Sequence, residues 1–390
     1  MKFWEYLFSL KNEYNHKVIR IMGIKIKIPY SKETVNAIKI QNRYELNQYR
    51  QTDKLVVFIE VELARTCGGQ MSIFELCKHS RNILKPIPVL MTTMPGKHTY
   101  SHNDFFENDI EILRWSQVMN IAKNKKEVII HIPEFMTELF LMRLSKTDRY
   151  IFSKIPNLQI NILNQRVDIM PDKEVVDKLK KLTPNITQTT AHDAYSTQTM
   201  CDKYGIPLHK FSVNLGVEKY SYLSKNQIEK IILISPDRPK TFSVECFIER
   251  LKKQLPDYKI IQFYDMTFSE CMELTSKTFF TVSFGEGFDG YLLHPLCVKR
   301  LGASVYNSQF FPDKDWTKFK NIYKSYEDLC HNFSNDVRYF ENNMDEYYSL
   351  VKQQMHKINE IYKFEEYIDN IKRFYNRNYD YYPTNDIKNI

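Results

Sequence analysis

The chain has 390 residues, 43% hydrophobic and 26% charged, with a formal net charge of +8. That length exceeds what one hydrophobic core supports and predicts two domains, and that balance excludes disorder over the bulk of the chain. Seven cysteines with no two-residue spacing exclude a disulfide framework and a paired-cysteine zinc site, and apolar runs such as Val128-Ile129-Ile130 are too short to cross a bilayer.

Residues 1–50 form a basic leader, with ten Lys/Arg against four Glu and so a net charge of +6. Such a balance suits an anionic partner. Phe3, Trp4, Tyr6, Leu7, Phe8 and Leu10 interleave with the charges. Residues 1–30 are therefore expected to form an amphipathic segment on an anionic membrane surface, or else a first helix packed on the body. Met22–Pro29 alternates apolar residues with Lys and predicts a small edge ribbon with its lysines on one face. No signal-peptide pattern opens the chain, so a cytoplasmic protein is expected, peripheral on the inner face of the membrane if the leader docks there.

Beyond the leader, apolar runs of strand length alternate with stretches of helical period. Strands are expected at 54–60, 86–92, 127–132, 158–163, 186–190 and 208–213. Helices are expected at 71–84, 109–123, 133–143 (opening on Pro133), 173–182 and 196–204. A polar, Lys-rich stretch at 216–230 reads as an inter-domain linker. The alternation then resumes, with strands at 231–235, 259–264, 279–284 and 303–306 and helices at 245–255, 269–275 and 289–300. From Tyr326 onward only helical spacing remains, and the last ten residues read as a loose tail.

Near-continuous apolar strands alternating with helices imply parallel sheets covered on both faces. The predicted fold class is α/β, with two Rossmann-like domains facing across a cleft and helices at the carboxyl end. The expected units are the leader (1–50), an acceptor domain (51–217), a donor domain (218–325) and C-terminal helices (326–390).

The most informative segment is FFTVSFGEGFDGYLLHPLCVKRLGASVY, residues 279–306. A strand ends in Ser283-Phe284-Gly285-Glu286-Gly287 and a helix follows at once. Strand carboxyl ends are where parallel sheets bind ligands. Gly285, Gly287 and Gly290 permit close backbone approach, and the helix start offers N–H groups to a phosphate or a sugar hydroxyl. Glu286 can accept hydrogen bonds from vicinal sugar hydroxyls. The return Lys299-Arg300-Leu301-Gly302-Ala303 needs a glycine for structure alone.

Glu286-Gly287-Phe288, its helix and Gly302-Ala303-Ser304-Val305 resemble the donor-site motif of GT-B glycosyltransferases related to family 4. In that family the Glu and the helix start engage the donor sugar and diphosphate, and a second acid eight positions on binds the ribose. Here that position is His294, which departs from the family pattern. A strand-end Arg and a Lys neutralise the diphosphate in that family. The resemblance places Ser235, Arg238 and Lys240 in that region, with Lys240 matching and the Arg displaced to Arg238. Gly68 and Gly69, in Arg65-Thr66-Cys67-Gly68-Gly69-Gln70, resemble the acceptor-side loop that lies over the donor phosphates. His192 and Asp193 end another strand of the first domain and are candidates to orient or deprotonate an acceptor hydroxyl; a capping Asp193 beside a structural His192 is the simpler alternative. His131 reads as a satisfied core histidine.

The leader, from Ser9 to Ile19 and from Met22 to Pro29, resembles one found ahead of bacterial lipooligosaccharide and capsule glycosyltransferases. The expected activity is transfer of a sugar from a nucleotide-sugar donor to a glycan or glycolipid acceptor of that surface type. A sugar-nucleotide epimerase of the same fold and a non-catalytic scaffold subunit are the alternatives. No cofactor is expected beyond the nucleotide sugar as co-substrate. No metal is expected either: the first domain lacks an Asp-x-Asp strand end, and Asp313-Lys314-Asp315 lies in a late loop. No P-loop, dinucleotide fingerprint or HExxH occurs, and no nucleic-acid module is recognisable, so no nucleic-acid partner is expected.

Overall fold

The computed structural model describes residues 8–13, 16–22, 24–29, 46–61, 67–96, 103–214, 216–264 and 266–384. In the leader, β1 (Phe8–Glu13), β2 (His16–Ile21) and β3 (Ile24–Pro29) pair as an antiparallel sheet in chain order. The expected ribbon is thus present as β2–β3, registered through pairs such as Ile19↔Ile26. The expected helix at the amino end is strand from Phe8 onward; residues 1–7 lie outside the described residues.

The first domain is built on seven parallel strands: β4 (Lys54–Ile59), β5 (Val89–Thr92), β6 (Ile112–Leu113), β7 (Glu127–Pro133), β8 (Asn157–Asn164), β9 (Asn185–Thr190) and β10 (Leu208–Lys210). Their order across the sheet is β10-β9-β8-β7-β4-β5-β6. Leu55 to Ile59 are all buried because helices cover both faces, which is why the run is apolar without alternation. Its helices are α1 (Gly68–Ile83), α2 (Trp115–Ala122), α3 (Thr137–Arg143), α4 (Lys146–Phe152), α5 (Lys173–Lys180) and α6 (Gln198–Tyr204).

The second domain has five parallel strands, β11 (Ile231–Ile234), β12 (Lys259–Gln262), β13 (Phe280–Val282), β14 (Leu301–Val305) and β15 (Ile322–Tyr323), in the order β12-β11-β13-β14-β15. The helices α7 (Val244–Gln254), α8 (Phe268–Lys277) and α9 (Gly290–Cys297) alternate with them. Then come α10 (Tyr326–Asn342), α11 (Met344–Ile361) and α12 (Phe364–Tyr375).

Several expectations change in detail. The span 109–123 is not one helix: Ile112–Leu113 joins the sheet edge, and α2 starts only after Arg114. Pro133 ends β7 rather than opening a helix; a 3-10 turn at Glu134–Met136 separates it from α3. The helix α4 escaped the periodicity, although Ser145 and Asp148 close a capping box around its start. The expected linker contains a 3-10 helix, Val217–Lys225, with Val217, Tyr220 and Leu223 buried.

The carboxyl end divides between the domains. Phe333, Phe340 and Tyr347 complete the core of the second sheet. Tyr367, Ile371 and Phe374 of α12 instead pack with Phe58, Ile73 and Phe211 of the first domain. The tail is not loose where it is described. Tyr381 bridges Leu208 at the sheet edge, and the Asp380 carboxylate lies 2.9 Å from His209 and 2.7 Å from Arg373.

This topology decides where a ligand can bind. Strand order reverses beside β4 and β7 in the first sheet, and beside β11 and β13 in the second. In open parallel sheets the crevice for a ligand lies at the carboxyl ends of strands at such a switch point. The segments following β4 and β7, and those following β11 and β13, therefore border these crevices.

Candidate functional site

A cavity of about 1030 Å³ lies between the two domains, with walls that include Gly69, Glu134, Arg166, His192, Glu286 and Tyr362. The turn after β13 forms its second-domain wall. Gly287 has φ +83°, and an added Cβ would stand 2.5 Å from the Val305 carbonyl oxygen, so only glycine fits there. Phe288 is buried and anchors the turn, edge-on to Trp316 at 4.9 Å between ring centroids. Glu286, Phe288, Gly290 and His294 all line the cavity. Gly302 has the purely structural role expected of it, since a Cβ would meet Leu292 Cα at 2.7 Å.

The start of α9 is less open than expected. Asp289 caps it, accepting from the Tyr291 N–H at 2.8 Å and the Leu292 N–H at 3.4 Å, while Ser283 donates to its other oxygen at 2.5 Å. Among the described residues, two α-helix starts without a side-chain cap meet this cavity, that of α1, where Gly68, Gly69 and Gln70 line the wall, and that of α12, at Lys363 and Phe364. The Arg65 and Thr66 positions of that loop lie outside the described residues.

The turn after β11 departs from expectation. Ser235 is buried, and its hydroxyl accepts from the Phe284 N–H at 3.0 Å, tying two strand ends together. Arg238 is turned to Glu245 at 2.7 Å, Gln262 at 2.8 Å and Tyr264 at 2.9 Å, and its third nitrogen donates to two carbonyls of its own turn. Arg238 therefore braces the turn, and neither it, Ser235 nor the exposed Lys240 belongs to the cavity wall. Asp237 is the residue of this turn that approaches the motif: a Cβ on Gly285 would stand 3.0 Å from its carboxylate.

In the first domain His192 lines the cavity and Asp193 does not. The Asp193 carboxylate pairs with Lys210 at 2.6 Å. The His192 ring packs edge-on against Tyr195 at 5.7 Å, and burial pushes its pKa down to about 4. His294 is also neutral, with a pKa pushed down to about 4 by burial. Its ring packs edge-on against Phe268 and so close to Gly290 that a Cβ there would stand 2.4 Å from it. His131 is a core residue, bonded to Asn161 at 3.0 Å and Tyr375 at 3.1 Å.

The groups missed by sequence reasoning are Glu134 and Arg166. Glu134 follows β7, is 3% exposed, and lines the cavity with its Oε2 lacking any hydrogen-bond partner among the described residues. Burial raises its pKa to about 8, against the pull of the Gln165 and Arg166 amides and with a further push from Glu286. Arg166 follows β8, holds Asp168 through two bonds at 2.7 and 2.8 Å, and reaches Glu286 at 3.6 Å. Burial and the Asp289 charge raise Glu286 to about 7, and Arg166 opposes that shift. Burial likewise raises Asp289 to about 6. A carboxylate from each domain thus meets one guanidinium. Among the described residues no three His, Cys, Asp or Glu side chains converge as a metal site.

No protein-family model matches the chain, and no curated protein matches it in sequence. Solved structures do match. An alpha-glucosyltransferase in complex with UDP-glucose and DNA containing an abasic site aligns at a TM-score of 0.52 and 9% identity, over 82% of this chain and 99% of that one. An alpha-glucosyltransferase in complex with UDP aligns at 0.51 and 10%, with the same coverage. Another, with UDP and a 13-mer DNA containing a HMU base at 2.8 Å resolution, aligns at 0.52 and 10%, again with that coverage. The chain shares their fold, and the expected GT-B arrangement of two Rossmann-like domains is the one present. The exclusion of nucleic acid as a partner is overturned, because two of these structures with the same fold hold DNA. Among the described residues no helix is long and apolar enough to cross a membrane.

Proposed function

We propose that the chain is a glycosyltransferase that binds a nucleotide sugar in the inter-domain cavity and passes the sugar to an acceptor hydroxyl. The observation that carries this reading is the Glu286-Gly287-Phe288 turn: a half-buried carboxylate held on a glycine-only backbone at the switch-point crevice of the second sheet. Glu286 receives the sugar hydroxyls. The uncapped start of α1 and the Arg166 guanidinium face the diphosphate, the charge that grows as the glycosidic bond breaks. These groups are placed to carry the anion. UDP and UDP-glucose in structures of the same fold make a uridine diphosphate sugar the first donor to try.

For the acceptor, the resemblance of the leader to that of lipooligosaccharide and capsule transferases supports a surface glycan. The DNA in two fold neighbours supports a second reading, a hydroxyl carried on a modified base. The test is nucleoside diphosphate release from a panel of nucleotide sugars, each offered with oligosaccharides and with hydroxymethyluracil-containing DNA. Release that depends on one donor and one acceptor class supports transfer and names both. An epimerase would interconvert the donor without releasing nucleotide, and a scaffold would do neither.

A further inference from the structure

Glu134 is a buried side chain on the cavity wall, and one of its carboxyl oxygens, Oε2, takes no hydrogen bond from the packing of the first domain. Only 3% of the residue is exposed, and its Oε2 has no partner among the described residues. A buried carboxyl oxygen left without a partner is costly unless a ligand completes it. Its place is fixed by backbone: β7 pairs with β8 as far as Pro133↔Leu163, and the 3-10 turn that follows starts on Glu134, at the switch-point crevice.

We propose that Glu134 is the catalytic base of the transfer, accepting the proton of the acceptor hydroxyl at its carboxylate; this assignment rests on the glycosyltransferase reading above. As the hydroxyl oxygen forms its bond to the anomeric carbon, the acceptor O–H bond breaks and its proton passes to Glu134. The bond from the anomeric carbon to the diphosphate breaks at the same centre, and its electron pair leaves on the phosphate oxygen. The products are the glycoside, the nucleoside diphosphate and a protonated Glu134, which returns its proton to solvent before the next turnover. Glu286 on the opposite wall holds the donor sugar, so the two carboxylates face the reacting centre from different domains.

His192 is the competing base on the same wall. Its pKa near 4 makes it a weak proton acceptor, whereas a carboxyl near 8 matches neutral to mildly alkaline operation. Arg166 and Asp168 after β8, Tyr195 after β9, His192, and Glu286 across the cleft are the titratable groups around Glu134. The base must be ionised to act, so kcat/KM rises with pH and levels near pH 8.

The test compares wild-type protein with Glu134→Gln and Glu134→Asp, using the donor and acceptor that the wild-type protein consumes. Loss of a general base typically costs about 10²–10⁴-fold in rate. The expected result is that Glu134→Gln loses at least a hundredfold in kcat, keeps donor Kd within threefold, and loses the rising pH limb. Glu134→Asp is expected to keep that limb at reduced rate and with a shifted midpoint. Wild-type kcat with an unchanged pH profile in Glu134→Gln overturns the assignment and leaves a leaving-group phosphate oxygen as proton acceptor. Loss of donor binding with kcat preserved also overturns it, since Glu134 would then be a binding group. A wild-type protein that consumes no nucleotide sugar overturns the transfer reading itself, and the assignment falls with it.

Discussion

Arg166 Nε lies 3.6 Å from Glu286 Oε1, an ion pair that spans the cleft from the end of β8 to the turn after β13. Both side chains keep contact with solvent, at 46% and 25% exposure, so the pair adds little to stability, on the order of 0–1 kcal/mol. On the proposed function its value is in binding. Arg166→Ala is expected to weaken UDP-sugar affinity by roughly tenfold or more, the worth of a charge-assisted hydrogen bond. The melting temperature should fall by no more than about 4 °C. Calorimetric titration and a thermal melt check both; unchanged affinity would remove Arg166 from the donor site.

The glycine at 287 makes a sharper prediction. Gly287→Ala forces an L side chain into φ +83° and drives a Cβ to within 2.5 Å of the Val305 oxygen. The backbone penalty alone is about 1–2 kcal/mol. The variant should lose stability in a denaturant melt and lose donor binding together. Gly68→Ala, with open space around its Cβ, should leave stability within about 0.5 kcal/mol.

Arg238 is predicted to be a brace and not a phosphate ligand. Arg238→Ala should loosen the turn through loss of Glu245, Gln262 and Tyr264, at a cost on the order of 1 kcal/mol. Donor affinity of Arg238→Ala and of Lys240→Ala should stay within twofold of the wild-type value. A selective loss of diphosphate binding in either variant would reinstate that turn as the anion site.

Glu134 also leaves a signature in stability. Its carboxyl is held near pKa 8 in the folded chain and near 4.5 when unfolded. Between those values the unfolded chain binds fewer protons, so stability falls as pH rises from about 4.5 to 8 and is level on either side. That loss comes from burial, which penalises the charged carboxylate. Glu134→Gln removes it. The variant should melt like the wild-type protein at pH 4 and above it at pH 8, and equal melting temperatures at both pH values would contradict the burial of this charge.

What could be read before folding was decided by local pattern. Strands such as Ile231–Ile234 stand out because both faces are covered, and the Glu286 turn stands out because glycine-rich strand ends are rare in this chain. Glu134 and Arg166 carry no such mark. Glu134 becomes notable only because β7 ends at the point where sheet order reverses, and Arg166 because β8 lies next to β7, relationships among β4, β7 and β8 that spacing does not reveal. Periodicity likewise could not say that α12 crosses from the second domain to the first, or that Tyr381 pairs with Leu208. The orientation of Arg238 was illegible for the same cause: adjacency to a strand end does not determine which way a side chain turns, and Glu245 and Gln262 hold Arg238 in its own turn.

The central claim is that the turn at Glu286 holds the sugar of a nucleotide donor. The most direct measurement is acceptor-dependent release of nucleoside diphosphate by wild-type protein and by Glu286→Ala, each first shown by circular dichroism and thermal melt to be folded. The account predicts release by the wild-type protein and a loss of at least about a hundredfold in the variant, the scale on which removing one preorganised contact at a reacting centre acts. Equal release by the two proteins would contradict it.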